Sequence, residues 1–289
     1  MRRINYKKLI VVLGISIVLL FSAGLSFSKV MGYYSKKKDN VIHSSQEEKV
    51  KIELKYANTS ETGQKYAYDS KKIEERIKAN NYLNSGEKMV FLTFDDGPSV
   101  TNTPKVLDLL DENNVKGTFF VLGSTLENGG ENAKSLLKRI FDTGHAIGNH
   151  TYSHDMNKLY PGRNLNLNAF KEDLVRNENL LKSILGDGFS TKVMRCPGGY
   201  MSWKGMDPLD EYLKENNMAS IDWNALNKDA EGGRKNANQL ASIAIETSQD
   251  KDVVILLMHD TYLKEETVKA LPEIIKHFQA NGYEFKTLG

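Results

Sequence analysis

Met89-Val90-Phe91-Leu92-Thr93-Phe94-Asp95-Asp96-Gly97-Pro98-Ser99 is the stretch on which the reading of this chain turns. The apolar run Met89 to Leu92 predicts a buried strand. Gly97-Pro98 stops it, because proline offers no N–H to a ladder. Asp95 and Asp96 are thereby placed at the strand's C-terminal end. Adjacent carboxylates repel, and the pair is costly unless a cation or a proton lies between them. On these residues alone a solvated Asp-Gly turn is the competing reading. The rest of the chain decides between the two.

From Glu87 onward, short apolar strands alternate with amphipathic helical stretches. Strands are expected at Met89–Phe94, Gly117–Leu122, Ala146–Asn149, Lys192–Arg195, Met218–Asp222, Val253–Met258 and Tyr283–Thr287. Helices are expected at Thr103–Asn113, Glu131–Thr143, Leu167–Leu185, Asp207–Asn216, Ala237–Ser248 and Glu265–Asn281. Such alternation implies an α/β domain of parallel strands with helical crossovers. The pattern admits a barrel or an open wound sheet, and either puts the site at the strand C-termini. This domain is expected over residues 86–289, after a polar linker or stalk over 36–85 with a short helix near Lys71–Ala79.

Within the 289 residues, 39 Lys+Arg stand against 37 Asp+Glu, a net charge of +2 that argues against a nucleic-acid partner. The single cysteine, Cys196, excludes an internal disulfide and a thiolate-rich metal site. Nothing in the chain points to a protein partner. At the N-terminus, Arg2, Arg3, Lys7 and Lys8 precede an uncharged, largely apolar stretch from Leu9 to Phe27. That is about long enough to span a hydrocarbon core. It predicts a membrane anchor within residues 1–35, with the rest of the chain outside the cell. Lys36-Lys37-Lys38 weaken that charge asymmetry. A cleaved signal peptide is the alternative, with Gly24-Leu25-Ser26 and Ser26-Phe27-Ser28 as small-x-small sites and secretion as the outcome. The length of the apolar stretch favours the anchor.

His150-Thr151-Tyr152-Ser153-His154 follows the third expected strand. On a helical turn, histidines at i and i+4 project from one face and can chelate one ion. With Asp96 they make two imidazoles and a carboxylate, a set that leaves positions open for water and substrate, as a catalytic zinc site does. Asp155 is a further candidate ligand but reads better as solvated or structural. Polar residues also end three later strands: Arg195-Cys196-Pro197-Gly198-Gly199-Tyr200, Asp222-Trp223-Asn224 and His259-Asp260. Their shared placement predicts convergence on one mouth, where the Gly-Gly pair lets backbone N–H groups approach a ligand.

These motifs, in this order over roughly Glu87 to Leu288, resemble the polysaccharide deacetylases, the carbohydrate esterase family with the NodB-homology domain. The resemblance implies a distorted (β/α) barrel and metal-dependent removal of acetyl from an N-acetylated sugar. It implies that Asp95 is the general base, that Asp96, His150 and His154 hold the metal, and that Arg195 orients the base. It implies His259 as the general acid, supported by the carboxylate of Asp229, and Gly198 as the donor of a backbone N–H to the oxyanion. One divalent ion is implied, Zn2+ first, with Co2+ or another divalent ion compatible. Two positions depart from the family: Gly198 stands where many members have Tyr, and Ala230 where Trp often follows the supporting Asp. Trp203 or Trp223 is the expected replacement for the pocket wall.

The expected substrate is wall peptidoglycan, because an N-terminal anchor holds the domain close to the wall, and the family resemblance implies N-acetylglucosamine as the sugar. N-acetylmuramic acid, a chitin-like polymer or acetylated xylan remain alternatives within the same chemistry. A catalytically silent glycan-binding domain is the reading from a different class, and the intact base, ligand and acid positions argue against it.

Overall fold

A computed structural model describes residues 55–83 and 86–289. In chain order its elements are β1 (Ala67–Tyr68), α1 (Ser70–Lys78), β2 (Met89–Asp95), α2 (Thr103–Glu112), β3 (Thr118–Val121), α3 (Gly123–Asn128) and α4 (Gly130–Asp142). There follow β4 (Ala146–Asn149), α5 (Met156–Leu159), α6 (Leu167–Leu185), β5 (Val193–Met194), α7 (Asp207–Glu215), β6 (Ala219–Ser220) and β7 (Ala225–Leu226). The chain ends with α8 (Ala237–Ser248), β8 (Val253–His259), α9 (Glu265–Ala280), β9 (Glu284–Phe285) and β10 (Thr287–Leu288).

The main sheet runs β6-β5-β4-β3-β2-β8-β7, with β9 pairing on the start of β2. Every ladder in it is parallel, and it curls into a half-barrel with helices outside. Between the barrel and open-sheet alternatives, the structure thus shows a curled sheet whose edge strands, β6 and β7, do not pair with each other.

Period-2 alternation along β2 divides the core. Val90, Leu92 and Phe94 pack outward with Leu107, Leu110, Ile274 and other helical residues. Met89 and Phe91 point into the curl beside Phe120, Val193, Ile221 and Ile255. All of these side chains are buried. Thr93 and Asp95 continue the inner face, so the strand that builds the core also carries a carboxylate to its mouth.

All six long helices start and stop within one residue of their expected positions, and α1 forms where the short helix was expected. Three strand expectations need correction. The fourth and fifth strands shrink to two residues each, and Tyr283–Thr287 splits between β9 in the main sheet and β10, which pairs with β1. β1 and β7 were not expected; two residues are too few to show alternation.

The expected linker over 36–85 also needs correction where it is described. Residues 55–83 pack onto the half-barrel: Ile73 is fully buried, and Tyr68, Ile77 and Tyr82 pack on the inner core. Asn58 Nδ2 donates to the carbonyls of Ile147 (3.1 Å) and Leu288 (2.8 Å). Glu74 Oε1 accepts the Ser220 N–H at 3.3 Å, which covers the free edge of β6. The apolar stripe that does this is narrow, so the segment's composition stays polar. The expected anchor and the start of the linker lie outside the described residues. Among the described residues no helix is long and apolar enough to cross a membrane.

Candidate active site

The inner face of β2 ends on Asp95, whose register partners are Phe120 on β3 and His259 on β8. Beneath the mouth, Arg195 is fully buried. Its Nη1 donates to Asp95 Oδ1 and to Thr93 Oγ1, both at 2.8 Å. Its Nε donates to the Ile221 carbonyl at 2.8 Å and its Nη2 to the Asp222 carbonyl at 3.3 Å. The guanidinium lies 4.2 Å from the Phe120 ring centroid. A charge this deep persists only when paired and hydrogen-bonded. Arg195 thus occupies Asp95 Oδ1, while Oδ2 faces the centre, 3.8 Å from His150 Nε2.

Asp96 leaves the strand in the left-handed region, at φ 67°, which turns its carboxylate back across the mouth. Its Oδ1 lies 3.4 Å from His150 Nε2 and 3.6 Å from His154 Nε2. One ligand atom from each of the three residues falls within 4.8 Å of the others. His150 Nδ1 meets the Arg195 carbonyl at 2.9 Å, so Nδ1 carries the proton and the Nε2 lone pair faces the centre. Burial disfavours the charged form of His150, but the Asp95 and Asp96 carboxylates outweigh it and raise its pKa. Burial likewise lowers the pKa of His154, and His150 adds to this. For Asp96, burial alone would raise the pKa; the imidazoles of His150, His154 and His259 reverse this and hold it well below the usual carboxylate range.

These residues fit a divalent ion. Asp96 Oδ1 is buried and accepts no hydrogen bond, a costly state for a carboxylate oxygen unless a cation satisfies it. The donor set of two imidazole nitrogens and one carboxylate oxygen suits zinc and related ions.

On the far side of Asp96, His259 ends β8 with its Nε2 3.9 Å from Asp96 Oδ2. Its Nδ1 meets Asp229 Oδ1 at 2.7 Å, and its backbone N–H donates to Asp229 Oδ2 at 3.0 Å. Asp229 is itself fixed by the Thr267 hydroxyl at 2.7 Å. Burial disfavours the imidazolium, but the Asp229 carboxylate outweighs it and the His259 pKa is pushed up to about 9. Conversely Asp229, which burial would raise, is lowered by His259 first and by Thr267 and Lys264 after it.

The Gly198-Gly199 turn forms the third wall, both residues at positive φ (73° and 82°). The Gly198 N–H has no acceptor among the described residues. A Cβ on Gly198 would press on Trp203 at 3.1 Å, and one on Gly199 would collide with Trp223 at 2.8 Å. The tryptophans therefore take the space that larger residues in the turn would need. Trp203 stacks on Tyr160 with centroids 4.0 Å apart and donates Nε1–H to the Pro197 carbonyl at 2.8 Å. Trp223 lies 5.7 Å from the Arg195 guanidinium.

Comparison with known proteins gives the family. The polysaccharide deacetylase family pattern matches residues 83–212. A peptidoglycan-N-acetylglucosamine deacetylase of Bacillus cereus is 32% identical over 247 residues, covering 77% of this chain and 81% of that protein. The chain belongs to the polysaccharide deacetylase family. A CE4 esterase structure from Streptococcus mutans superposes on 82% of this chain and 98% of its own, with a TM-score of 0.74 and 34% identity. A chitin deacetylase of Colletotrichum lindemuthianum is 33% identical over 209 residues, 70% of this chain and 78% of its own. The polysaccharide deacetylases are a family of hydrolases.

Within this family member, Asp95, Asp96, His150, His154, Arg195, Gly198, Asp229 and His259 all meet at one mouth, with Trp203 and Trp223 beside the Gly198-Gly199 turn. The expected helical turn through His150 and His154 is absent and needs correction. These residues form a loop in which Thr151 (φ 65°) and His154 (φ 54°) are left-handed, and that reversal brings the imidazoles to 5.0 Å between centroids. Asp155 is the N-cap of α5, accepting from the N–H groups of Asn157 and Lys158.

Asp173 escaped the sequence reading, and Asp222 and Asp260 were placed there at strand ends without a role. Asp173, buried on α6, accepts the N–H groups of Tyr152 (3.0 Å) and Ser153 (2.7 Å) and so holds the histidine loop. Asp222 Oδ1 accepts the Tyr200 N–H at 3.0 Å and tethers the turn after Gly199. Asp260, fully buried, accepts from the Thr103 hydroxyl, and burial pushes its pKa up to about 7. In sequence each is one polar residue among many, and only its tertiary partner distinguishes it.

Proposed function

We propose that the protein is a divalent-metal-dependent deacetylase that removes the N-acetyl group from N-acetylglucosamine in peptidoglycan. The observation that carries this reading is the Asp96–His150–His154 cluster, flanked by Asp95 on one side and His259 on the other. An ion held there, Zn2+ by the chemistry of the donor set, supplies Lewis acidity toward the acetyl carbonyl and toward water. Asp95 accepts the proton of the attacking water through Oδ2, while Arg195 holds Oδ1 and fixes the carboxylate's angle. The Gly198 N–H donates to the oxygen on which charge develops. His259 gives its Nε2 proton to the departing amine, and Asp229 steadies the imidazolium as a buried counter-charge. The products are acetate and a free amino sugar, and proton exchange with solvent returns Asp95 to the carboxylate and His259 to the imidazolium.

Similarity to the Bacillus cereus enzyme supports the peptidoglycan substrate, and similarity to the fungal chitin deacetylase supports a neutral chitin-like strand as a second reading. Acetate release from purified peptidoglycan, with and without a chelator, tests the chemistry, and analysis of the product sugars identifies which one loses its acetyl group. Activity unchanged by thorough chelation would remove the metal from this account. The apolar sequence from Leu9 to Phe27 supports an extracellular domain on a membrane anchor, which fractionation of the full chain and N-terminal sequencing of the mature protein test.

A further inference from the structure

Behind His259 lies a second cavity, of about 420 Å³, between the loop that follows β7 and the start of α9. It shares a wall with the reaction centre: Asp229 and Thr267 line it, and Asp229 is also the partner of His259 Nδ1. The cavity exists because Ala230, Gly232 and Gly233 put little or no side chain into it. Its loop is nevertheless fastened. Lys235 Nζ donates to the carbonyls of Lys228 and Gly233, both at 3.1 Å, and to that of Glu231. Lys264 Nζ donates to the Asp229 carbonyl at 2.7 Å.

The charge around this space is unbalanced. Lys235 and Lys264 direct their hydrogen bonds to carbonyls, and Lys264 also faces the Asp229 carboxylate. Lys228 and Arg234 are exposed and make no ion pair among the described residues. Of the carboxylates that line the cavity, Asp229 is engaged by His259, and Glu266 is engaged by Lys269 at 2.6 Å and by the Ala237 N–H at 2.8 Å. Arg234 also faces Glu266, and in all four cations line the cavity against the three carboxylates Asp229, Glu265 and Glu266. A concave site with excess positive charge concentrates anions, and the volume suits a small acidic group.

We propose that this cavity is an anion subsite that binds a carboxylate carried by the glycan strand beside the sugar being deacetylated. The inference rests on the deacetylase reading above and deepens it. A peptidoglycan strand bears peptide carboxylates on alternate sugars, whereas a chitin-like strand bears none. The subsite therefore sorts the two substrates, and it does so one residue away from the imidazole that faces the leaving amine. Lys228 and Arg234 are exposed side chains, so replacing them leaves the packing of the half-barrel intact.

The test uses the full-length protein and three strands of equal length: a peptide-bearing glycan, the same glycan with its carboxylates amidated, and a neutral N-acetylglucosamine oligomer. In the double variant Lys228→Gln/Arg234→Gln, KM for the acidic strand rises about fivefold with kcat unchanged, the size expected for losing two partly exposed charge contacts. KM for the other two strands stays within about twofold, because neither engages these cations. Added salt weakens wild-type turnover of the acidic strand and has little effect on the double variant. The charge-retaining pair Lys228→Arg/Arg234→Lys keeps the wild-type preference. An equal rise on all three strands, or no rise on the acidic one, overturns the subsite while leaving the deacetylase reading intact. Acetate release from none of the three overturns the deacetylase reading and the subsite with it.

Discussion

Replacing Arg195 with Met tests the electrostatic frame of the site, because it keeps the unbranched apolar stem of the side chain and removes its charge and donors. Arg195 is wholly enclosed, with Asp95 as its counter-charge and Thr93, Ile221 and Asp222 as further acceptors. Removing one member of a buried ion pair typically costs about 3–5 kcal/mol, because the other charge is left uncompensated. Each carbonyl stripped of its donor adds about 1 kcal/mol where water cannot replace it. These contributions overlap in the desolvation of one site, so a loss of about 4–6 kcal/mol is expected, a large part of the ~5–15 kcal/mol that holds a domain folded. Urea unfolding followed by far-UV circular dichroism measures it as a lowered midpoint. Adding Asp95→Asn to Arg195→Met removes the stranded carboxylate and is expected to restore about 1–3 kcal/mol. Arg195→Met within about 1 kcal/mol of wild type would refute the argument, as would strictly additive losses in the double variant.

Asp95→Asn is expected to keep the bound metal and lose turnover, whereas His154→Ala loses metal; equal metal content in the two, read by elemental analysis, would contradict that division. With His259→Ala, the amine of an N-acetyl sugar loses its proton donor but an activated aryl leaving group needs none. The rate on the amide therefore falls about 10²–10⁴-fold, with a much smaller loss on an aryl acetate, and equal losses would point to a structural role. Asp229→Asn tests pH dependence. His259 works as an acid only while protonated, and its pKa near 9 keeps that form through neutral pH and loses it as pH rises through that value. Without the Asp229 carboxylate the imidazolium loses its main stabilisation, so the alkaline limb of the kcat profile moves to lower pH. An unmoved limb would detach Asp229 from this role.

The main strand and its two carboxylates were legible because three signals coincide at Met89–Pro98: an apolar run, a stop and an unbalanced acidic pair. The helices were legible for a similar reason. A stretch such as Leu167–Leu185 repeats its apolar face over many turns, and its ends appear within one residue of expectation. The failures were short or irregular. β7 has two residues, and the histidine loop depends on left-handed backbone at Thr151 and His154, where neither residue type signals it. Residues 55–83 looked like linker because they bury a narrow stripe, Tyr68, Ile73, Ile77 and Tyr82, in an otherwise polar composition.

By itself the sequence determined the alternation of strand and helix, and with it a parallel sheet whose strand ends carry the polar residues. Local hydrophobic periodicity is enough for that, because each element must bury its own apolar face. The tertiary structure decided which atoms face one another. It buried Arg195 against Asp95 from a strand three ladders away, turned Asp96 back toward two imidazoles, and set Asp229 behind His259. It also opened a cationic cavity where Ala230, Gly232 and Gly233 leave room. Those outcomes depend on contacts between residues far apart in the chain. A charge's pKa, partner and accessible space are set by what surrounds it in space, which no local pattern along the chain encodes.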